Sequence, residues 1–220
     1  GNGLMGNEGA AALFRALAAP ALSSLKYLSL AGGGLGPAPM SELCVAVRRG
    51  RGQQWHTVDF SHNAAGSGDS SGVLEALGHE QGSSSATPRG FVGLFACLGA
   101  GGCPSLVELR LADTEFGDAD AAALAKAFPA LPRLAGLDLR LNRLGPAGLG
   151  ALSAGLGQLP RLANLGLAHN RGGDAGVGGL SAALLSGGGR RLCYLDVGFN
   201  GASLGAIQRL AAVLAGGACP

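Results

Sequence analysis

Six copies of one short pattern run through the sequence and constrain its fold more than any other feature. Five copies read LxxLxL, the last of them with valine at its final position, and a degenerate sixth begins at Trp55. Three residues after the pattern, the copies carry Gly33, Asn63, Thr114, Asn142, Asn170 and Asn200. The intervals between these six positions are 30, 51, 28, 28 and 30 residues. Copies that keep a common period indicate a repeat architecture.

Each copy combines features of a strand, a turn and a helix. The alternating apolar residues predict a short strand with one buried face, and the asparagine predicts a turn in which its side chain satisfies free backbone groups. An alanine- and leucine-rich segment with helical spacing follows, as in residues 119–128, 147–156, 176–185 and 204–214. A single unit cannot bury its own apolar face, so neighbouring units stack. We predict an α/β horseshoe with a parallel inner sheet and convex outer helices.

The copies resemble those of leucine-rich repeat proteins of the ribonuclease-inhibitor type. Residues 117–121 and 172–177 resemble that family's helix-entry sequence. Residues 43–44 resemble its helix cysteine, and residues 103–104 resemble its strand-entry cysteine. The resemblance implies a leucine-rich repeat solenoid whose helices lie on the convex side.

The same pattern predicts the domain organisation. We expect residues 1–220 to form a single domain of six to seven repeats, each 28–31 residues long. No polar capping repeat is visible at either end, which favours a fragment of a longer array. The interval of 51 residues predicts an insertion loop at residues 64–90, rich in glycine and serine.

Composition excludes several classes of function. The net charge of +2 arises from 16 basic and 14 acidic residues, so no overall field favours nucleic acid or an anionic membrane. The longest uncharged stretch, residues 90–107, contains five glycines and a proline, which argues against a membrane span. The five cysteines lack metal-ligand spacing. They indicate free thiols in the cytoplasm and no metal site.

Two motifs that occur in enzymes are better interpreted as loops. The GxSxG motif at residues 68–72 has no strand directly before it, unlike the nucleophile turn of a hydrolase. The GxGxxG motif at residues 1–6 fits the loop of a repeat and lacks the acidic residue of a dinucleotide site. We therefore predict a non-enzymatic protein without catalytic residues, cofactor or small-molecule substrate.

Side chains that alternate with the buried leucines must face the inner surface of the sheet. Together with residues just after the strands they form a mildly acidic strip with three aromatic rings. The candidate binding residues of this concave face are Tyr27, Asp59, Glu108, Arg110, Asp113, Asp138, Arg140, Tyr194, Asp196 and Phe199. Aromatic and arginine anchors are typical of protein interfaces, and carboxylates favour a basic partner. Alternatively, the aspartates at these positions only promote solubility.

A second candidate surface is a ladder of arginines along one edge. Arg133, Arg161 and Arg191 each stand directly before the first leucine of a copy, so stacking places them about 5 Å apart. Such a ladder suits a carboxylate-rich or phosphorylated partner. Alternatively, the arginines only complement the C-terminal ends of helices.

These observations predict a cytoplasmic scaffold that binds another protein through its concave face or rim, with a cytoskeletal or ciliary location as an alternative. The resemblance leaves two other functions open, because one fold serves many functions. One is a regulator of the Ran GTPase-activating type, with Arg143 and Arg171 on the rim. The other is an axonemal or cytoskeletal subunit whose arginine edge contacts an acidic surface.

Overall fold

A computed structural model of the 220-residue chain describes residues 5–19, 24–65 and 90–218. Within these residues, six three-residue strands form one parallel sheet in sequential order. The strands are β1 (Tyr27–Ser29), β2 (Thr57–Asp59), β3 (Glu108–Arg110), β4 (Gly136–Asp138), β5 (Asn164–Gly166) and β6 (Tyr194–Asp196). Neighbouring strands pair so that equivalent residues of the copies stack. The predicted parallel inner sheet is confirmed.

Helices alternate with the strands along the described chain. They are α1 (Gly6–Leu17), α2 (Met40–Arg48), α3 (Gly90–Gly99), α4 (Asp118–Ala127), α5 (Pro146–Gly155), α6 (Gly173–Leu185) and α7 (Leu204–Val213). Short 3₁₀ turns at Phe128–Ala130 and Leu156–Gln158 follow α4 and α5, and a π-type turn at Leu214–Ala218 follows α7. Each helix packs on the next one, so the helices form a single row. The predicted helical segments begin and end within three residues of these bounds.

One apolar core runs between the sheet and the helices. The middle residue of each of the first five strands is buried, whereas Leu195 in β6 is only partly buried. Four buried phenylalanines pack together where β2, α3 and the turn after β3 meet, with ring centroids 5.7–6.1 Å apart; they are Phe60, Phe91, Phe95 and Phe116. Each fully buried side chain of this kind contributes roughly 1.5–3 kcal/mol through the removal of apolar surface from water.

Buried asparagine side chains join four of the repeats to the one before. The Nδ2 of Asn170 donates to the carbonyl of Leu167 in its own turn (3.0 Å) and to that of Leu139 in the previous repeat (2.9 Å). Its Oδ1 accepts a hydrogen bond from the backbone N–H of Leu144 (2.9 Å). The same three kinds of bond are made by Asn63, Asn142 and Asn200. These amides therefore satisfy backbone groups that would otherwise be buried without a partner.

Carboxylates at the helix starts form a second connection between repeats. Asp118 Oδ1 accepts from the backbone N–H of Gly145, 27 residues later, at 2.7 Å. Asp174 accepts from both the backbone N–H (2.6 Å) and the hydroxyl (2.7 Å) of Ser203. The hydrogen bonds from Ser203 hold the pKa of Asp174 below its usual value. Each such bond ties the start of one helix to the loop before the next helix.

The predicted insertion at residues 64–90 lies outside the described residues, except for its first two residues and its last. Gly90 is the first residue of α3 and is buried, as is Ala65. A Cβ atom on Gly90 would lie only 2.9 Å from the carbonyl oxygen of Ala65, and Gly90 has a left-handed φ of +65°. The described residues on either side of this segment therefore meet, as they would in a repeat of ordinary length.

We predict that the repeat closes without the intervening segment. Deletion of residues 67–88 removes 22 residues and shortens the interval of 51 residues to 29, which matches the other repeats. The thermal unfolding midpoint, followed by far-UV circular dichroism, should stay equal or rise slightly because a shorter loop costs less closure entropy. A Gly/Ser replacement of equal length is the control. Loss of cooperative unfolding in the deletion variant would show that these residues pack on the core.

We also predict that the buried amide of Asn170 is a major source of stability. Asn170→Ala leaves the N–H of Leu144 buried without its acceptor and should lower the free energy of unfolding by about 2–4 kcal/mol. The matched control is Asn164→Ala in the same repeat, because the side chain of Asn164 is exposed. That control should change the free energy by less than about 0.5 kcal/mol. Equal effects in urea denaturation would contradict the prediction.

Candidate functional site

In the turn after each strand, the residue directly before the repeated asparagine position adopts the left-handed backbone region. We call these residues the turn row; they are Gly32, His62, Asp113, Leu141, His169 and Phe199, with φ between 54° and 63°. Each directly precedes the position that carries asparagine in four repeats. The backbone N–H of the first five donates to a carbonyl of the next repeat at 2.8–2.9 Å. These backbone bonds fix the turn. The point at which each side chain of the turn row leaves the backbone therefore does not depend on the residue type.

An open groove lies beside the turn row on the inner face of the sheet. It has a volume of about 970 Å³ and extends from the turn after β1 to β6. Small residues form much of its floor, among them Gly136 and Gly166. A Cβ atom on Gly136 would lie 3.3 Å from Cγ of Glu108, and one on Gly166 would lie 3.0 Å from Oδ1 of Asp138. These two glycines therefore leave the space that the neighbouring charged side chains occupy.

Both arginines of the groove are paired within their own strand or the turn after it. The guanidinium of Arg110 donates twice to Oε1 of Glu108 (2.7 and 2.9 Å), which raises the pKa of Arg110. Arg140 donates from Nε and Nη2 to the two oxygens of Asp138 (2.9 and 2.7 Å). Burial raises the pKa of Asp138, but hydrogen bonds from the side chain and backbone of Arg140 outweigh it and hold the pKa below its usual value.

The aspartates at the last strand position also have a local structural role. Asp59, Asp138 and Asp196 each accept a hydrogen bond from the backbone N–H two residues later, at 2.9–3.2 Å. Asp196 differs from the other two because it forms no ion pair with any described residue. The hydroxyl of Tyr194 donates to its other oxygen at 3.4 Å. Asp196 thus keeps a negative charge at the last strand of the groove, and the described cation that attracts it, Arg140, is already hydrogen-bonded to Asp138.

Large apolar side chains are exposed around the same end of the groove. The exposed fraction is 50% for Leu141, 49% for Tyr194 and 79% for Phe199. The ring of His169 stacks on that of Phe199, with centroids 4.3 Å apart and planes 8° apart. Exposed apolar side chains that lie together, with polar groups around them, are typical of interaction sites.

The structure brings eight of the ten predicted concave residues together in the groove. These are Asp59, Glu108, Arg110, Asp138, Arg140, Tyr194, Asp196 and Phe199. Tyr27 is exposed on β1 outside the groove, and Asp113 belongs to the turn row, where its Oδ2 lies 3.2 Å from Nδ1 of His62. Leu141 lines the groove although the sequence analysis did not single it out. Its position directly before the repeated asparagine was the available signal.

The other predicted surface residues lie away from the groove. Arg133, Arg161 and Arg191 are exposed in the loops that precede β4, β5 and β6. Arg143 on the rim donates to Oε1 of Glu115 at 2.8 Å. The guanidinium of Arg143 is therefore already engaged within the protein.

In the described part of the chain, no cluster of three or more histidine, cysteine or acidic side chains is placed to hold a metal ion. None of the helices within residues 5–19, 24–65 and 90–218 is long and apolar enough to cross a membrane. Cys44, Cys97, Cys103 and Cys193 are free thiols. Burial raises the pKa of Cys44 and of Cys103 to about 12, which keeps both thiols protonated and unreactive.

A sequence model of the leucine-rich repeat family matches residues 102–125 and 137–153, which include β3 and most of α4 and α5. The match agrees with the six stacked strand–turn–helix units of the fold. The fold is that of a leucine-rich repeat solenoid. The ribonuclease-inhibitor type of these repeats stays a prediction from their length and helix-entry sequences.

Two solved structures are similar to this chain at low sequence identity. Actin-binding site 2 of leiomodin-1 is 20% identical over 57% of this chain and 70% of that chain, with a TM-score of 0.45. An internalin from Listeria monocytogenes is 14% identical over 90% of this chain and 67% of that chain, with a TM-score of 0.33. No curated protein matches the sequence at a significant level. These similarities are too distant to indicate a partner.

We predict that the turn row tolerates side-chain changes only when the new residue accepts a left-handed backbone. Valine disfavours this conformation and asparagine accepts it. The free energy of unfolding of Leu141→Val should therefore be about 1 kcal/mol lower than that of Leu141→Asn. The control is Asn164→Val, because an exposed strand position favours valine over asparagine. Chemical denaturation measures all three variants. If Leu141→Val is at least as stable as Leu141→Asn, the turn is not held as described.

Proposed function

We propose that this leucine-rich repeat protein binds another protein through its concave groove and the adjoining turn row. Stacked repeats present extended concave surfaces, and proteins built from them use these surfaces for binding. The observation that carries the proposal is the joint exposure of Leu141, Tyr194 and Phe199 beside the carboxylate of Asp196. A rigid backbone holds all four, so little conformational entropy is lost when a partner binds.

The side chains of this end of the groove define the chemistry of the partner. Asp196 supplies a negative charge that forms no ion pair with a described residue and is attracted only from a greater distance by Arg140, and Tyr194 and Phe199 supply aromatic faces. A cationic side chain that reaches Asp196 would also lie against an aromatic ring, which adds a cation–π attraction. An apolar residue beside it would cover Leu141. The partner segment therefore carries an arginine or lysine next to an apolar side chain.

The ion pairs of the groove make the middle of its floor less attractive for binding. The charges within each ion pair, Glu108–Arg110 and Asp138–Arg140, neutralise each other. A charged partner therefore gains little electrostatic attraction there. We therefore propose that these four residues select the partner and that the last repeats provide most of the binding free energy. We assign the groove no catalytic step and no cofactor. The free thiols support a reducing compartment such as the cytoplasm for this interaction.

A peptide selection tests the proposal. A phage-displayed library of short random peptides is selected on the wild-type chain alone, and the recovered peptides are then measured on the wild type and on the Tyr194→Ala/Asp196→Ala variant. We expect the recovered peptides to combine a basic residue with an adjacent apolar one. In fluorescence anisotropy, the double variant should bind them at least about tenfold more weakly, a loss of about 1.4 kcal/mol or more.

The matched control is Tyr27→Ala, because Tyr27 is an exposed tyrosine of the same sheet that lies outside the groove. It should bind the selected peptides as the wild type does, and both variants should keep the wild-type unfolding midpoint. Peptides that bind the double variant and the wild type equally well would place the binding site elsewhere on the molecule.

A further inference from the structure

The three arginines of the edge ladder occupy one position of the same turn in three successive repeats. The backbone N–H groups of Leu134, Leu162 and Leu192 each donate to the carbonyl three residues earlier, at 3.1, 3.2 and 2.8 Å. In each of these turns the arginine is the third residue. The turn geometry is therefore repeated, and the arginine side chains leave the backbone at equivalent points.

Backbone hydrogen bonds keep these turns in register with one another. The N–H of Ala163 donates to the carbonyl of Ala135, and the N–H of Cys193 donates to that of Ala163, both at 2.8 Å. These residues lie two positions after the arginines. The sheet spacing of about 4.8 Å therefore extends to the turns, and the Cα atoms of Arg133, Arg161 and Arg191 are separated by roughly 5 Å per step.

This edge carries positive charge that no described acid neutralises. Residues 128–135, 156–163 and 186–193 contain four arginines and no aspartate or glutamate. All four arginines are exposed, and none forms an ion pair with a described residue. Like charges at this spacing repel one another, so a bound anionic partner would lower the electrostatic energy of the arginine ladder.

Interaction with helix C-terminal ends does not account for the arginine ladder. Arg133 and Arg161 lie three residues after the 3₁₀ turns that continue α4 and α5, and Arg191 lies six residues after α6. The attraction between a cation and a helix C-terminus falls off within the last turn. No hydrogen bond joins these guanidinium groups to a carbonyl in the described chain. The arginines are thus free to contact a second molecule.

We propose that this basic edge, Arg133, Arg161 and Arg191, binds an acidic helical segment of a partner protein. Side chains at positions i, i+4 and i+7 of a helix lie on one face, about 5–6 Å apart, which matches the steps of the ladder. Side chains on one face of an extended peptide are about 6.7 Å apart and fall out of step. Each arginine can hold one carboxylate with two parallel hydrogen bonds.

The chemistry of the edge disfavours other anionic partners. Single-stranded nucleic acids bind through bases that stack on aromatic side chains, and the one aromatic residue of the three segments, Phe128, is buried. Anionic membranes bind surfaces that also insert several apolar side chains, whereas none is exposed within these segments and only Leu185 and Tyr194 adjoin one of them. The acidic helix requires neither property. The inference is also independent of the groove, because none of the four arginines lines it.

The test uses the full chain and labelled peptides of defined sequence. The probe is a fluorescein-labelled, alanine-rich peptide of about 15 residues with glutamates at i, i+4 and i+7, long enough to form a helix. We expect the triple variant R133Q/R161Q/R191Q to bind it about tenfold more weakly than the wild type in fluorescence anisotropy at low salt. Glutamine suits this turn, since Gln54 occupies the equivalent position of an earlier repeat.

The control variant R15Q/R171Q/R209Q removes the same charge from exposed arginines elsewhere on the surface. It should bind the peptide with nearly wild-type affinity, and both triple variants should keep the wild-type unfolding midpoint. Arg161→Gln alone removes the middle step and should weaken binding about threefold. This single variant gives an answer even if the triple variant is unstable.

Three results would overturn the proposal. Equal weakening by the two triple variants would mean that net charge, not the ladder, attracts the peptide. Equal affinity for a peptide with the same composition but with glutamates spread around the helix would show that binding does not depend on the matched spacing. Tighter binding of an oligothymidylate of similar charge would assign the edge to nucleic acid instead.

Discussion

Hydrogen bonds from buried asparagine amides hold the stacked repeats together, and the rest of the structure depends on them. The carbonyl of Leu139 accepts from both Asn142 and Asn170, so one oxygen links two successive side chains. Thr114 breaks this chain, because its hydroxyl reaches the carbonyl of Leu111 in its own turn (2.9 Å) and Oδ1 of Asn142 in the next repeat (3.3 Å), but no described carbonyl of the repeat before. The same junction contains the four packed phenylalanines. Apolar packing thus replaces the missing amide at the repeat with the longest interval.

The same turns that satisfy the interior also produce the binding surface. A strand, a left-handed residue and a buried asparagine follow one another, so each repeat places one side chain in the turn row at a fixed point. Because the backbone bonds of the row do not involve its side chains, histidine, aspartate, leucine and phenylalanine all occupy equivalent positions. Stability therefore depends on the buried positions, and the chemistry of the surface depends on the row.

The repeat period was sufficient to predict the sheet, its order and the helices, because every copy has the same apolar positions. The alternation of side chains likewise placed Tyr194 and Asp196 on the inner face. The left-handed conformation of Leu141 was not predicted, since leucine rarely adopts it and only the comparison of six copies indicates it. The neutralisation of Arg110 by Glu108 was missed although the two residues alternate on one face. Residue type alone does not show which charges are already paired.

The arginine edge precedes the short strands, and Asp59, Asp138 and Asp196 are the last residues of three of them. A net charge of +2 therefore describes the molecule incompletely, because charges of opposite sign are separated along the strands and produce a field with a direction. A charged partner that approaches by diffusion would be rotated by this field before any contact forms. Such orientation acts on the rate of encounter, and it weakens as salt shortens the range of the field. The orientation in which a partner arrives is thus influenced by residues that it never touches.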